Sequence, residues 1–123
     1  MNSCGVMVHP GLGLSTQTEG GVTIVELTGG LDIANAPALR EQFLRLLQSG
    51  SGRLVIDLSK VSSCDASGLA VLLSAGRRAT LLGGFLRLAA VSPQVARVLN
   101  ITGLDRHLVI FPTVQAAPLA TCA

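Results

Sequence analysis

The chain has 123 residues, of which 49% are hydrophobic and only 13% charged, and its formal net charge is +2. This length matches one domain with a single core, and no apolar run approaches the roughly 20 residues that cross a bilayer. The nine basic residues are scattered and Trp and Tyr are absent, so composition argues against a nucleic-acid footprint and an aromatic stacking platform. We therefore expect a soluble protein that contacts neither nucleic acid nor membrane directly.

The N-terminal part predicts a tail, a hairpin and a helix. Residues 1–10 show no periodicity and are expected to form a flexible tail. Two strands follow, one from about Leu12 to Thr18 and one over residues 22–29, joined by a tight turn at the glycine pair of "EGG". Asn35 occupies a helix-cap position, and Pro37 suits the first helical turn. The helix that follows has apolar residues at helical spacing and one charged pair on its outside: Leu39, Phe43, Leu46 and Leu47, with the pair Glu41 and Arg45.

The rest of the chain alternates strands and helices. A short apolar segment, Arg53–Ser59, is typical of a central strand covered on both faces. After it we expect a helix over residues 67–82, a strand at Phe85–Val91, a helix between Ser92 and Gly103, a last strand before Pro112, and a short tail helix weakened by Pro118. This order predicts an α/β fold: a mixed sheet of four to five strands with an opening antiparallel hairpin and three to four helices. The predicted domain spans residues 11–117, with a C-terminal tail over 118–123.

The polar loop "VSSCDAS", residues 61–67, separates the central strand from the second long helix. In open α/β sheets, ligands collect where a strand ends and the next helix begins. Ser67 either caps this helix or accepts a phosphate, which the helix dipole tolerates; Ser63 is a weaker candidate. Asp65 either takes part in partner binding or holds the loop by accepting backbone N–H bonds.

One side of the second long helix is predicted to point away from the sheet. With about 100° of rotation per residue, Leu69 and Leu72 face the sheet. The outer side is either an ordinary solvent face or a docking surface rimmed by arginines. Its residues are Ser67, Ala70, Val71, Ser74, Arg77, Arg78 and Leu81.

No catalytic or metal-binding constellation is evident. Cys4, Cys64 and Cys122 lack metal-ligand spacing and are expected to be free thiols, with Cys64 either a buried packing residue or a redox group. The "GLGLS" segment at Gly11 lacks the third glycine and the preceding strand of a phosphate loop. We therefore predict no enzyme activity, no cofactor and no metal. The N-terminus has no secretory signal pattern, which predicts a cytoplasmic location.

Three segments together resemble the STAS domain of bacterial anti-sigma factor antagonists: "GGLDIANAPALREQF", "LVIDLSKVSSCDASGLAVLL" and "GGFLRLAAVSPQVARVLNITGLDR". The resemblance covers residues 12–115. It implies a partner switch that binds an anti-sigma factor serine kinase and frees a sigma factor. Phosphorylation at the helix start would end this binding, and a serine phosphatase would restore it. Asp32 resembles a family position near the same edge of the sheet, or is an ordinary turn aspartate.

One residue departs from the family pattern. The acceptor hydroxyl usually follows the aspartate directly, but Ala66 follows Asp65 here. Either Ser67 or Ser63 takes the phosphate, or the chain is an unphosphorylated docking subunit, for example of a phospholipid transport complex or a stress-sensing scaffold. Nothing in the sequence sets an oligomeric state. The predicted partner-binding residues are Asp32, Ser63, Asp65, Ala66, Ser67, Ala70, Val71, Ser74, Arg77 and Arg78.

Overall fold

A computed structural model describes residues 4–9 and 11–114 of the chain, with the side chains described from residue 11 onward. Six strands form one sheet in the order β1-β2-β3-β4-β5-β6. The strands are β1 Cys4–His9, β2 Leu12–Glu19, β3 Val22–Leu31, β4 Arg53–Cys64, β5 Phe85–Ala89 and β6 Val109–Phe111. The helices are α1 Ala36–Gln48, α2 Ala66–Leu81 and α3 Pro93–Thr102, followed by a 3-10 turn at Leu104–Arg106.

The mixed sheet and the opening hairpin confirm the predicted fold class. Strands β2 and β3 pair antiparallel, and the turn between them has positive φ at both Gly20 and Gly21, as a two-residue hairpin of matching twist requires. Strands β3, β4, β5 and β6 pair parallel. Because parallel crossovers are right-handed and the strand order never reverses, α1, α2 and α3 all lie on one face of the sheet.

Two stretches are strand where the sequence predicted irregular chain. Residues 4–9, expected to be tail, form β1 and pair antiparallel with β2, which satisfies a strand edge that would otherwise be open. This addition raises the strand count by one above the predicted maximum of five. Strand β4 continues through the predicted loop to Cys64, because β3 extends to Leu31 and pairs with it. The predicted tail helix and C-terminal tail lie outside the described residues.

The main core lies between the sheet and the helix layer. It contains the predicted inner residues Leu39, Phe43, Leu69 and Leu72, all almost fully buried. A smaller cluster around Val55 lies on the opposite, helix-free face, where side chains of neighbouring strands and Val114 cover it. Strand β4 is therefore buried on both faces as predicted, although helices pack on only one of them.

The predicted signals at both ends of α3 are confirmed, whereas at the start of α1 only the proline in the first turn is. The Ser92 hydroxyl accepts a hydrogen bond from the Val95 N–H at 3.3 Å, and Gly103 ends α3 in the left-handed region with φ of 77°. Asn35 stands at the cap position of α1, yet its side chain caps nothing. Instead its buried Nδ2 donates to the Gly30 carbonyl oxygen at 3.0 Å, which ties the start of α1 to the end of β3.

Candidate functional site

The ends of two parallel strands bring the predicted site together. In the register of β3 and β4, Gly30 lies beside Ser63 and Leu31 beside Cys64. The β3–α1 connection and the first turn of α2 therefore leave the sheet side by side at its carboxyl edge. This edge is where the topology of an open α/β sheet concentrates binding groups.

Asp65 joins these two segments. It is the N-cap of α2, and its Oδ1 accepts a hydrogen bond from the Gly68 N–H at 3.1 Å. Its Oδ2 accepts one from the Ile33 N–H at 3.1 Å, and its own N–H donates to the Leu31 carbonyl oxygen at 2.9 Å. Asp65 therefore holds the loop by accepting backbone N–H bonds, one of the two roles predicted for it. The alternative that Ser67 caps the helix is wrong.

Gly68 lets α2 start close against the end of β3. A Cβ added at Gly68 would overlap the Leu31 carbonyl group and lie 3.0 Å from the Asp32 backbone nitrogen. Only glycine fits between the helix backbone and the strand backbone at this distance. The position of the first helical turn, and of the Ser67 hydroxyl beside it, thus depends on this contact.

Asp32 forms the turn that leads into α1. Its Oδ1 accepts a hydrogen bond from the Asn35 N–H at 3.1 Å, the local bond of an ordinary turn aspartate. Its other oxygen lies beside Gly30 on the same edge: a Cβ added at Gly30 would lie 2.6 Å from Asp32 Oδ2 and 3.0 Å from Ser63 Oγ. Asp32 and Ser63 therefore flank Gly30 from the two neighbouring segments.

The predicted docking residues on α2 differ in exposure. Ala66, Ala70, Ser74, Arg77 and Arg78 are exposed, and Ser67 is partly exposed. Ser67 is the second residue of the helix, and Arg77 follows ten positions later, which corresponds to about 15 Å along the axis. The arginines thus lie at the far end of the outer face of α2 and do not surround Ser67.

The prediction that Val71 lies on the outer docking side of α2 is wrong, because Val71 is buried. Only 2% of Val71 is exposed, and it belongs to the main core. It lines a small groove with Phe43 and Leu47 of α1, so α1 covers this flank of α2. The prediction from the helical wheel considered only the packing of α2 against the sheet, and not its packing against α1.

Ile33 is a candidate binding residue that the sequence did not single out. It is 70% exposed, and its backbone N–H is the one that Asp65 holds. A large apolar side chain fixed beside a helix start is typical of a binding surface. The only signal in the sequence was an isoleucine within an otherwise small and polar loop.

Cys64 is a partly buried free thiol. Burial, with a further contribution from the negative charge of Asp65, raises the pKa of Cys64 from 9.0 to about 11. The thiol is therefore protonated at neutral pH, which makes it a poor nucleophile. This environment favours the packing role over the redox role.

The described residues show neither a metal-ligand cluster nor a membrane-spanning helix. Within residues 11–114, no three His, Cys, Asp or Glu side chains lie close enough together to hold a metal ion. None of the described helices is both long and apolar enough to span a bilayer.

Comparisons with known proteins agree on the family. Residues 14–117 of the chain match the family model of the STAS domain. The anti-sigma-B factor antagonist of Bacillus subtilis is 36% identical over 80 residues, which cover 65% of this chain and 72% of the relative. The anti-sigma F factor antagonist of Paenibacillus polymyxa is 32% identical over 92 residues, covering 74% and 79%.

A solved structure extends the likeness to three dimensions. The crystal structure of an anti-sigma factor antagonist from Mycobacterium paratuberculosis superimposes with a TM-score of 0.73 at 26% identity. The match covers 89% of this chain and 93% of that one.

Proposed function

Because the chain belongs to the STAS domain family, we propose that it binds an anti-sigma factor serine kinase and so frees a sigma factor. It is a cytoplasmic regulator without enzyme activity. The relatives named as antagonists of anti-sigma-B and anti-sigma F factors support this class of partner. The single observation that carries the proposal is the edge at which Asp65 joins the β3–α1 connection to the start of α2.

The binding surface consists of this edge and the outer side of α2. Its apolar part comes from Ile33, Ala66 and Ala70, which are exposed although apolar. Asp32 and Ser63 add polar groups beside them. A small apolar centre with a polar rim is the usual composition of a protein–protein contact, and here one carboxylate, that of Asp65, accepts two hydrogen bonds that hold the two halves together.

Ser67 is the phosphate acceptor in this proposal. Its hydroxyl lies in the first turn of α2 and is partly exposed. The helix N-terminus stabilises a nearby negative charge by roughly 0.3–1 kcal/mol, so the free protein tolerates a phosphate of about −1.5 to −2 charges. Burying that charge unpaired in a contact costs several kcal/mol. Phosphorylation should therefore weaken kinase binding by roughly 100-fold or more, and a serine phosphatase would restore it.

Ala66 bears on the alternative function. It is exposed at the first position of α2, where the family pattern would supply a hydroxyl. A chain that is not phosphorylated would act as a docking subunit of a larger assembly, and its binding would follow its abundance.

The test uses an anti-sigma factor serine kinase from the same genome, ATP and mass spectrometry. One phosphate should enter the wild-type chain, none should enter Ser67→Ala, and Ser74→Ala should behave as wild type because Ser74 lies two turns further along α2. Ala66→Ser should gain a second acceptor. Kinase binding without any phosphate on residues 63–67 would support the docking subunit instead, and absence of binding to every such kinase would refute the proposed partner.

A further inference from the structure

Asn35 is a buried polar residue at the end of the β3–α1 connection, and only 4% of it is exposed. Its Nδ2 donates to the Gly30 carbonyl oxygen at 3.0 Å. Because a carbonyl oxygen can only accept, the Oδ1 of the same amide must point elsewhere. Among the side chains of residues 11–114, this Oδ1 is the one buried nitrogen or oxygen atom without a hydrogen-bond partner. Such an atom in a folded protein calls for an explanation.

The unpartnered oxygen makes the Asn35 amide a poor source of net stability. The bond from Nδ2 stabilises the fold, but burial of Oδ1 without a donor costs a comparable amount of free energy. A Leu side chain has the same branching as Asn and would bury no polar atom at this position. The amide therefore contributes geometry more than stability, since a buried hydrogen bond specifies the relative position of the two groups that it joins.

The amide packs where the start of β2 meets the end of β3. The Gly30 N–H donates to the Gly11 carbonyl oxygen at 3.0 Å. A Cβ added at Gly30 would lie 3.3 Å from Asn35 Nδ2, and one added at Gly11 would lie 3.9 Å from it. The register of β3 against β4 also shifts between Gly29 and Gly30. Asn35 therefore binds the chain at the point where β3 leaves the regular ladder.

The connection that Asn35 closes carries two groups of the proposed binding surface. The Asn35 N–H donates to Asp32 Oδ1 and to the Asp32 carbonyl oxygen, both at 3.1 Å, while its side chain holds the end of β3. Asp32 and the exposed Ile33 lie between these two attachments. Asp65 accepts the Ile33 N–H from the side of α2. The connection is therefore held from the core by Asn35 and from the helix start by Asp65.

We propose that Asn35 is a positioning residue for partner binding, whose amide keeps the β3–α1 connection in the conformation that presents Asp32 and Ile33. This role rests on the proposed function, because the partner is the same anti-sigma factor serine kinase. Asn35 is buried and acts through these two residues. A connection that adopts the binding conformation only about one tenth of the time without the amide would raise the apparent Kd about 10-fold.

The test combines amide hydrogen exchange of the free 15N-labelled chain with the affinity for the kinase, measured by isothermal titration calorimetry. Asn35→Leu removes the donor and fills the same space, and Asn35→Ala is the second variant. Both should speed exchange at residues 31–35 about 10-fold and weaken kinase binding about 10-fold. Their Tm should fall by about 4 °C or less.

Ser92→Ala is the matched control, because it removes a hydrogen bond at the start of a helix remote from the site. Its Tm should fall by about 4 °C, with no change in exchange at residues 31–35 or in kinase affinity. An equal loss of affinity in Ser92→Ala and Asn35→Leu would assign the effect to overall stability and overturn the positioning role.

Two other results would overturn the role of Asn35 and leave the proposed function standing. One is unchanged exchange at residues 31–35 in Asn35→Leu, which would show that the amide does not hold the connection. The other is faster exchange with unchanged kinase affinity, which would show that binding does not need the held conformation. A wild-type chain that binds no such kinase would instead refute the proposed partner, and the positioning role with it, so the two failures are distinguishable.

Discussion

Replacing Asp65 by Ala should destabilise the chain more than the loss of an ordinary helix cap. The Asp65 carboxylate accepts one bond from the Gly68 N–H and a second from the Ile33 N–H. Loss of an N-cap costs about 1 kcal/mol, and the second, exposed bond to a charged acceptor adds about 1 kcal/mol. We therefore expect a loss of about 2 kcal/mol. For a domain of this size, this loss lowers the Tm by about 8 °C.

The assay is thermal and urea unfolding followed by circular dichroism, with Ser92→Ala as the matched control. Ser92 caps α3 through one bond, to the Val95 N–H, so its loss should cost about 1 kcal/mol and about 4 °C. Asp65→Asn keeps a single carbonyl acceptor and should fall between wild type and Asp65→Ala. Equal losses for Asp65→Ala and Ser92→Ala would refute the conclusion that Asp65 joins two segments.

Three further changes test the packing around the site. Gly68→Ala should cost about 2 kcal/mol or more, because its methyl group overlaps the Leu31 carbonyl; Gly52→Ala, where nothing lies within 4 Å, is the control in urea unfolding, and equal losses would contradict the close approach. Val71→Ala should cost roughly 2 kcal/mol through lost burial and a cavity, whereas a neutral result would place Val71 on the surface. With Cys4 and Cys122 replaced by Ser, alkylation of Cys64 should be slow at pH 8 and accelerate up to its pKa of about 11. Because the unfolded thiol loses its proton first, near its ordinary pKa of 9.0, stability should fall as pH rises from about 9 towards 11; an increase there would contradict a raised pKa.

Local signals predicted much of the fold. The glycine pair between β2 and β3, the helical spacing of Leu39 and Phe43, and the cap residues of α3 act within a few positions of the chain, so the sequence displays them directly. The sequence did not predict β1, because residues 4–9 become a strand by pairing with β2. Their own sequence does not display that contact. The end of β4 was missed for the same reason, since Ser62 and Ser63 are exposed and polar as in a loop.

The site was predictable in position but only partly in its contacts. The rule that groups collect at the carboxyl ends of parallel strands placed Asp32, Ser63 and Asp65 together. Asp65 caps α2 through a local bond from the Gly68 N–H, so the choice between Asp65 and Ser67 lay within the loop sequence. The second bond of Asp65, from the Ile33 N–H, joins distant parts of the chain and could not be predicted from the loop alone. The burial of Val71 also depends on a contact between distant parts of the chain, its packing against α1. A helical wheel of α2 alone does not include that contact.

The most direct test of the proposed function is hydrogen–deuterium exchange of the chain with and without an anti-sigma factor serine kinase from the same genome. We expect the kinase to slow exchange at residues 31–35 and 62–74, and phosphorylation of Ser67 to abolish this protection. Protection confined to β2 and the helix-free face, with residues 62–74 unchanged, would contradict this expectation.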